Sequence, residues 1–137
     1  MHSRPVNVFF YGLFMDAEAL RANGYHPVNA RPACVPGMAL QIGSRATLIA
    51  DPAKCVYGFV IGLSQSEVER LYAEPSVAAY RPEAVLAQLP DQSWIPAICY
   101  NLPPSHDTIE ANPEYAEKLR AVANRLGLPA DYIASIR

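Results

Sequence analysis

Cysteine is scarce: Cys34, Cys55 and Cys99 are an odd number, and none stands in a C-x-x-C spacing. That pattern indicates neither a disulfide framework nor a four-thiolate zinc site, and reduced, intracellular thiols are expected. Histidine is equally sparse. His2, His26 and His106 are scattered through a terminus and loops without metal-ligand spacing, so no metal site is expected. A basic block is also missing. With 11 Lys plus Arg against 13 Asp plus Glu, the net charge is -2 and there is no electrostatic footprint for nucleic acid. A small neutral or zwitterionic partner fits better. Nor is there a long apolar run: "VYGFVIGL" falls far short of the roughly 20 residues a membrane span needs. The start "MHSRPVN" lacks the hydrophobic region of a signal peptide. Together these absences predict a soluble, cytoplasmic chain with no membrane partner.

What is present fits an ordinary globular protein. A chain of 137 residues, 51% apolar, suffices for one sizeable core, so a single domain over residues 1–137 is expected. Short β-rich runs fenced by Gly, Pro and Asp predict strands at Asn7–Gly12, Gly37–Gly43, Ala46–Ala50, Cys55–Leu63, Glu83–Leu89 and Ile95–Leu102. Within Cys55–Leu63 one face carries Val56, Gly58, Val60 and Gly62, which leaves room for a close-packed backbone or a ligand. Residues Asn23–Pro36 and Leu102–Pro113 read as loops.

Helix signals are clearer. Ser64 and Glu67 form a capping box, Leu63 and Val68 a hydrophobic staple, and Val68, Leu71 and Tyr72 an apolar stripe. This helix should stop at Glu74, because Pro75 disfavours helical backbone before it. A second helix reads as an Asn112 cap, Pro113 in the first position, an apolar face of Tyr115, Leu119, Val122 and Leu126, and Gly127 as the stop. A short last helix spans Ala130–Ile136. Strands on both sides of the Ser64 helix, followed by closing helices, predict an α+β fold: a small mixed β-barrel with flanking helices.

Two features ask for a functional explanation. The stretch "VFFYGLFMD" runs from a strand through Tyr11 and Gly12 into Leu13, Phe14 and Met15, where turns ordinarily take small or polar residues, before an Asp16 suited to capping a helix. It is either a strand exit with apolar residues tucked into the core or the wall of a pocket. Glu74 is the second. It stands at a helix end, where the macrodipole disfavours an ionised carboxylate, although the residue type by itself favours a solvated surface acid.

The order of "VFFYGLFM", "VYGFVIGLSQSEVERLYAEP" and "PEYAEKLRAVANRLGLPADYIASI" resembles the γ-glutamylcyclotransferase-like family, which includes the plant AIG2-like proteins. The resemblance implies an enzyme that cyclises the γ-glutamyl group of a small γ-glutamyl amine or peptide to 5-oxoproline, with no cofactor. It implies Glu74 as the catalytic acid and base, and Tyr11, Gly12, Leu13, Phe14 and Met15 as the substrate loop. Main-chain nitrogens of Gly12, Leu13 and Phe14 would bind a carboxylate or the developing oxyanion. Tyr80 and Arg81 follow the acid closely and read either as orienting it or its ligand or as a half-buried Tyr and a solvated Arg. Tyr115 would line the substrate site, a position it shares with the apolar helix stripe. Leu13 departs from the usual Ser or Thr, and "LYAEP" is shorter than the family's Leu-Asp-x-x-Glu-Gly and lacks its Asp and Gly. These departures motivate a second reading, a non-catalytic small-molecule-binding or interaction domain on the same fold, as monomer or homodimer.

Overall fold

A computed structural model describes residues 4–103 and 112–136. Five strands close into a barrel in the order β1-β3-β2-β4-β5. They are β1 (Val6–Phe10), β2 (Val28–Ile42), β3 (Ala46–Leu63), β4 (Arg81–Gln88) and β5 (Trp94–Asn101). The barrel is mixed: β1 runs parallel to β5, with Val8 opposite Ile98, and the other pairs are antiparallel. Closure gives every strand two partners and removes the free edges that would otherwise invite pairing with another chain. Val8, Phe9 and Phe10 are buried in succession, so β1 is covered on both faces.

The long hairpin of β2 and β3 corrects two expectations. Residues 28–36, read as loop, are strand: Ala33 and Val35 point inward and are buried, whereas Pro32 and Pro36 lie on exposed positions. Ala33 and Val35 supply an alternating inward face, and both prolines fall on exposed positions of the strand, paired in register with Phe59 and Cys55. Likewise, Ala46–Ala50 and Cys55–Leu63 are one strand; residues 51–54 do not end it but lie opposite Gly37, where the register shifts. Gly37 has φ +85°, the left-handed conformation that a bulge of this kind takes from glycine.

The glycine-bearing face of β3 receives backbone. A Cβ on Gly58 would stand 2.2 Å from the Phe10 carbonyl oxygen, so β1 and β3 approach as closely as they do only because Gly58 has no side chain.

Among the described residues four α-helices flank the barrel: α1 (Ala17–Ala22), α2 (Gln65–Tyr72), α3 (Pro113–Arg125) and α4 (Ala130–Ser135). The capping box on α2 forms as expected, Ser64 Oγ accepting from the Glu67 N–H at 3.2 Å and Glu67 accepting from the Ser64 N–H at 3.0 Å. Leu63 and Val68 beside it are both buried. The helix ends at Tyr72, two residues before the expected stop, and residues 73–79 continue as turns. On α3 the Asn112 side chain accepts from the Tyr115 N–H, and Gly127 at φ +79° closes the helix, the Leu128 N–H bonding back to the Ala123 carbonyl. The last helix stops one residue short of Ile136. Of the second expected loop, residues 104–111, with His106, lie outside the described residues.

No helix among the described residues is long and apolar enough to cross a membrane.

Candidate functional site

One end of the barrel collects most of the residues singled out in the sequence. The C-terminal ends of β1 and β5, the start of β4, the tip of the β2–β3 hairpin, the start of α3 and the end of α2 meet there. Side chains tie these elements together. The Tyr11 hydroxyl donates to the Tyr100 carbonyl at 2.7 Å, fastening the exit of β1 to β5. The Tyr80 hydroxyl donates to the Ala46 carbonyl, the Leu102 N–H to Thr47 Oγ1 at 2.8 Å, and Asn112 Nδ2 to the Gly43 carbonyl at 3.0 Å. Tyr72 stacks on Tyr100 with ring centroids 3.8 Å apart and lies tilted against Tyr80 at 6.2 Å.

The loop after β1 is not a simple strand exit. The strand stops at Phe10, and Leu13–Met15 form one turn of 3-10 helix that feeds Asp16, the cap of α1. The three apolar side chains separate in role. Met15 is fully buried in the core, Leu13 and Phe14 are half-buried against it, and Phe14 also lines an open groove of about 290 Å³ with Glu74. Asn23, Tyr25, Leu71 and Ser76 complete that lining.

The loop is held from two sides. Tyr115 reaches back from α3 so that its hydroxyl lies 2.8 Å from where a Cβ on Gly12 would stand. Asp16, only 9% exposed at its side chain, accepts from the Glu18 N–H and from Arg125 at 2.6 Å. Burial opposes ionisation of Asp16, but the Arg125 hydrogen bond, the Glu18 N–H and the Arg125 charge outweigh it and hold the carboxyl below its ordinary range. α3 thus grips both ends of the loop.

Acid–base capacity at this end is unevenly distributed. Burial raises the Tyr11, Tyr72 and Tyr115 hydroxyls above the ordinary phenol value, with main-chain hydrogen bonding at Leu13 partly offsetting it for Tyr115. Tyr80 is pushed up to about 12 by burial and the neighbouring Tyr115, against the pull of Arg45. The Cys99 thiol likewise rises to about 12 through burial and the Glu83 charge. All of these remain protonated at neutral pH, so they can donate hydrogen bonds but none serves as a general base. Among the nearby carboxylates, Asp16 is engaged by Arg125, Glu67 by the capping box and the His26 N–H, and Glu83 by Asn101 Nδ2. Glu74 is exposed and lines the groove beside Phe14.

The expected site residues therefore fall into two connected groups. Gly12, Leu13, Tyr115, Tyr80 and Tyr11 gather around the loop; Phe14 and Glu74 share the groove. Tyr25, Asn23 and Ser76 in the groove wall were not foreseen, because they lie in segments without periodicity. Arg70 over the Tyr25 ring, 4.6 Å from its centroid, pins that wall to α2. Among the described residues no group of three or more His, Cys, Asp or Glu is placed to hold a metal.

A closed five-stranded mixed barrel whose first strand exits into a glycine loop at an end lined by tyrosines defines a fold class shared with known proteins. The family model described as γ-glutamyl cyclotransferase, AIG2-like matches residues 8–119, and the chain belongs to that family. Among solved structures it is similar to one titled γ-glutamyl cyclotransferase, with TM-score 0.78, 20% identity, and 96% of this chain and 88% of the other covered. An uncharacterized protein from Homo sapiens gives TM-score 0.79 at 19% identity, covering 98% and 89%. An AIG2-like protein from Mus musculus gives 0.55 at 19% identity, covering 93% and 86%. At such identities these likenesses establish the fold. No match was found among curated proteins.

Proposed function

We propose that the protein is a cofactor-independent cyclotransferase acting on a small γ-glutamyl compound. The observation that carries this reading is the shared groove: Phe14, from the loop after β1, and Glu74, from the turn after α2, line one hollow although 60 residues separate them in sequence. Membership of the family supports it.

In this reaction the substrate's α-amine attacks its own γ-carbonyl, a C–N bond forms, and the bond to the departing amine breaks, leaving 5-oxoproline. Glu74 takes the proton that the ammonium must lose and returns it to the departing nitrogen. Main-chain N–H groups of Gly12 and Phe14 stabilise the oxyanion between the two steps, the Leu13 N–H being held by Tyr115. Because both reacting groups belong to one molecule, holding it bent supplies effective molarities of about 10⁵ to 10⁸ M, and little beyond positioning and proton transfer is needed. The direct test is incubation with a panel of γ-glutamyl amines and dipeptides, with 5-oxoproline read by mass spectrometry. Formation by the wild type and not by Glu74→Gln is the expected result.

A second reading rests on a specific observation. The Tyr115 hydroxyl already lies against the backbone at Gly12 and Leu13, and Glu74 is exposed, which suits a binding domain that has kept the fold without the reaction. Tight binding of a γ-glutamyl compound without turnover would select it.

A further inference from the structure

The segment between α1 and β2 is held against α2 at successive residues. Glu67 accepts from the His26 N–H at 2.6 Å through the carboxylate oxygen that its bond to the Ser64 N–H leaves over. One turn further along α2, a terminal nitrogen of Arg70 donates to the Gly24 carbonyl at 3.3 Å, and the guanidinium carbon lies 4.6 Å from the Tyr25 ring centroid. The Tyr25 N–H donates to the Leu20 carbonyl at 3.0 Å, so the backbone is fixed on the α1 side as well. Between these ties Tyr25 is only 6% exposed, and it lines the groove with Phe14, Leu71 and Glu74. Arg70 is exposed and is not among the lining residues: it covers the ring without entering the groove. Leu71 and Glu74 follow Arg70 in the chain, so one element both places the ring and carries the carboxylate.

We propose that Tyr25 is a binding residue of the groove and Arg70 its positioning residue, so that Arg70 governs how tightly a γ-glutamyl compound is held without touching it. The inference deepens the cyclotransferase reading and rests on it for the choice of ligand. A ring that is not held is in place for only part of the time, and the apparent affinity falls by that fraction. The contact that holds it, a cation over an aromatic face at an exposed site, is worth about 2- to 5-fold in an equilibrium constant, which sets the size of the loss. A wall that supports substrate and transition state alike changes KM and leaves kcat in place. Arg70 thus acts on affinity, where Glu74 acts on turnover.

The test measures Kd for γ-glutamylalanine and γ-glutamylethylamide by titration calorimetry in a Glu74→Gln background, where neither is consumed, and kcat and KM in the chain that keeps Glu74. Arg70→Leu should raise Kd and KM for both compounds by about 2- to 5-fold with kcat unchanged. Arg70→Lys, which keeps a cation over the ring, should recover part of the loss. Tyr25→Leu should weaken binding by itself, and Arg70→Leu added to it should cost nothing more, because no ring is left to hold. A merely structural Arg70 would act equally with and without Tyr25. That outcome, an unchanged Kd in Arg70→Leu, or no binding of either compound overturns the proposal. Should Tyr25→Leu fail to fold, Arg70→Lys decides: a loss equal to that of Arg70→Leu overturns the proposal. 5-Oxoproline formation with Kd and KM indifferent to Arg70→Leu overturns this inference alone. Binding that follows the expected pattern, without 5-oxoproline from the chain that keeps Glu74, overturns the cyclotransferase reading and leaves Tyr25 and Arg70 in their roles.

Discussion

The Tyr115 hydroxyl occupies the space that a β-carbon on Gly12 would need: the two positions are 2.8 Å apart. The glycine and the tyrosine therefore act as a pair across more than a hundred residues of sequence. The helix that carries Tyr115 fixes how close the loop after β1 can come. Gly12→Ala should displace the hydroxyl and cost about 1–3 kcal/mol, as overpacking does. Tyr115→Phe in the same chain should recover part of that loss. Thermal or urea unfolding of the two single variants and the double variant gives the coupling, expected at about 0.5–3 kcal/mol; strict additivity would show that the contact does not constrain the loop.

Glu74→Gln should lower kcat on any γ-glutamyl compound by about 10²–10⁴-fold, the usual contribution of a positioned acid–base group. Because Glu74 is exposed, stability should stay within about 0.5 kcal/mol of wild type. Undiminished 5-oxoproline production by the variant would remove Glu74 from the mechanism.

Asp16 predicts an acid-dependent loss of stability. Its folded carboxyl lies below the ordinary value of 3.8, so its contribution is present above that value and disappears as the pH falls through the depressed one. Asp16→Asn keeps a good helix cap but loses the ion pair with Arg125, whose side chain is 55% exposed and screened by solvent. The variant should be less stable by about 0.5–1 kcal/mol at neutral pH, or about 2–4 °C in Tm. Its melting curve should converge on that of wild type in acid. A difference that is constant from pH 7 to pH 2 would contradict the assignment.

Gly58→Ala should be far more damaging than its small volume suggests. The added carbon would meet the Phe10 carbonyl at 2.2 Å, and backbone cannot swing aside as a side-chain end can. A loss of about 2–4 kcal/mol in chemical denaturation is expected, at the upper range for overpacking. A neutral effect would mean that β1 and β3 can separate without disturbing the core.

Local signals that depend on a few adjacent residues were readable from the sequence. The Ser64–Glu67 capping box, the Asn112 cap and the Gly127 stop each satisfy their own helix ends, and each forms as read. Residues 28–36 were misread because their prolines speak locally for a loop, while the reason they form a strand is the distant partner stretch of β3. β3 continues through residues 51–54 across the register shift at Gly37, joining two paired stretches of one hairpin. The sequence marked Gly12 and Glu74 as unusual through residue type and resemblance. That Phe14 shares a groove with Glu74, that Tyr115 presses on Gly12 and that Asp16 meets Arg125 were decided by closure of the barrel. Closure brings together strand ends and helix ends whose separation along the chain leaves no pattern in it, because periodicity reports which face of an element is buried and not what that face meets.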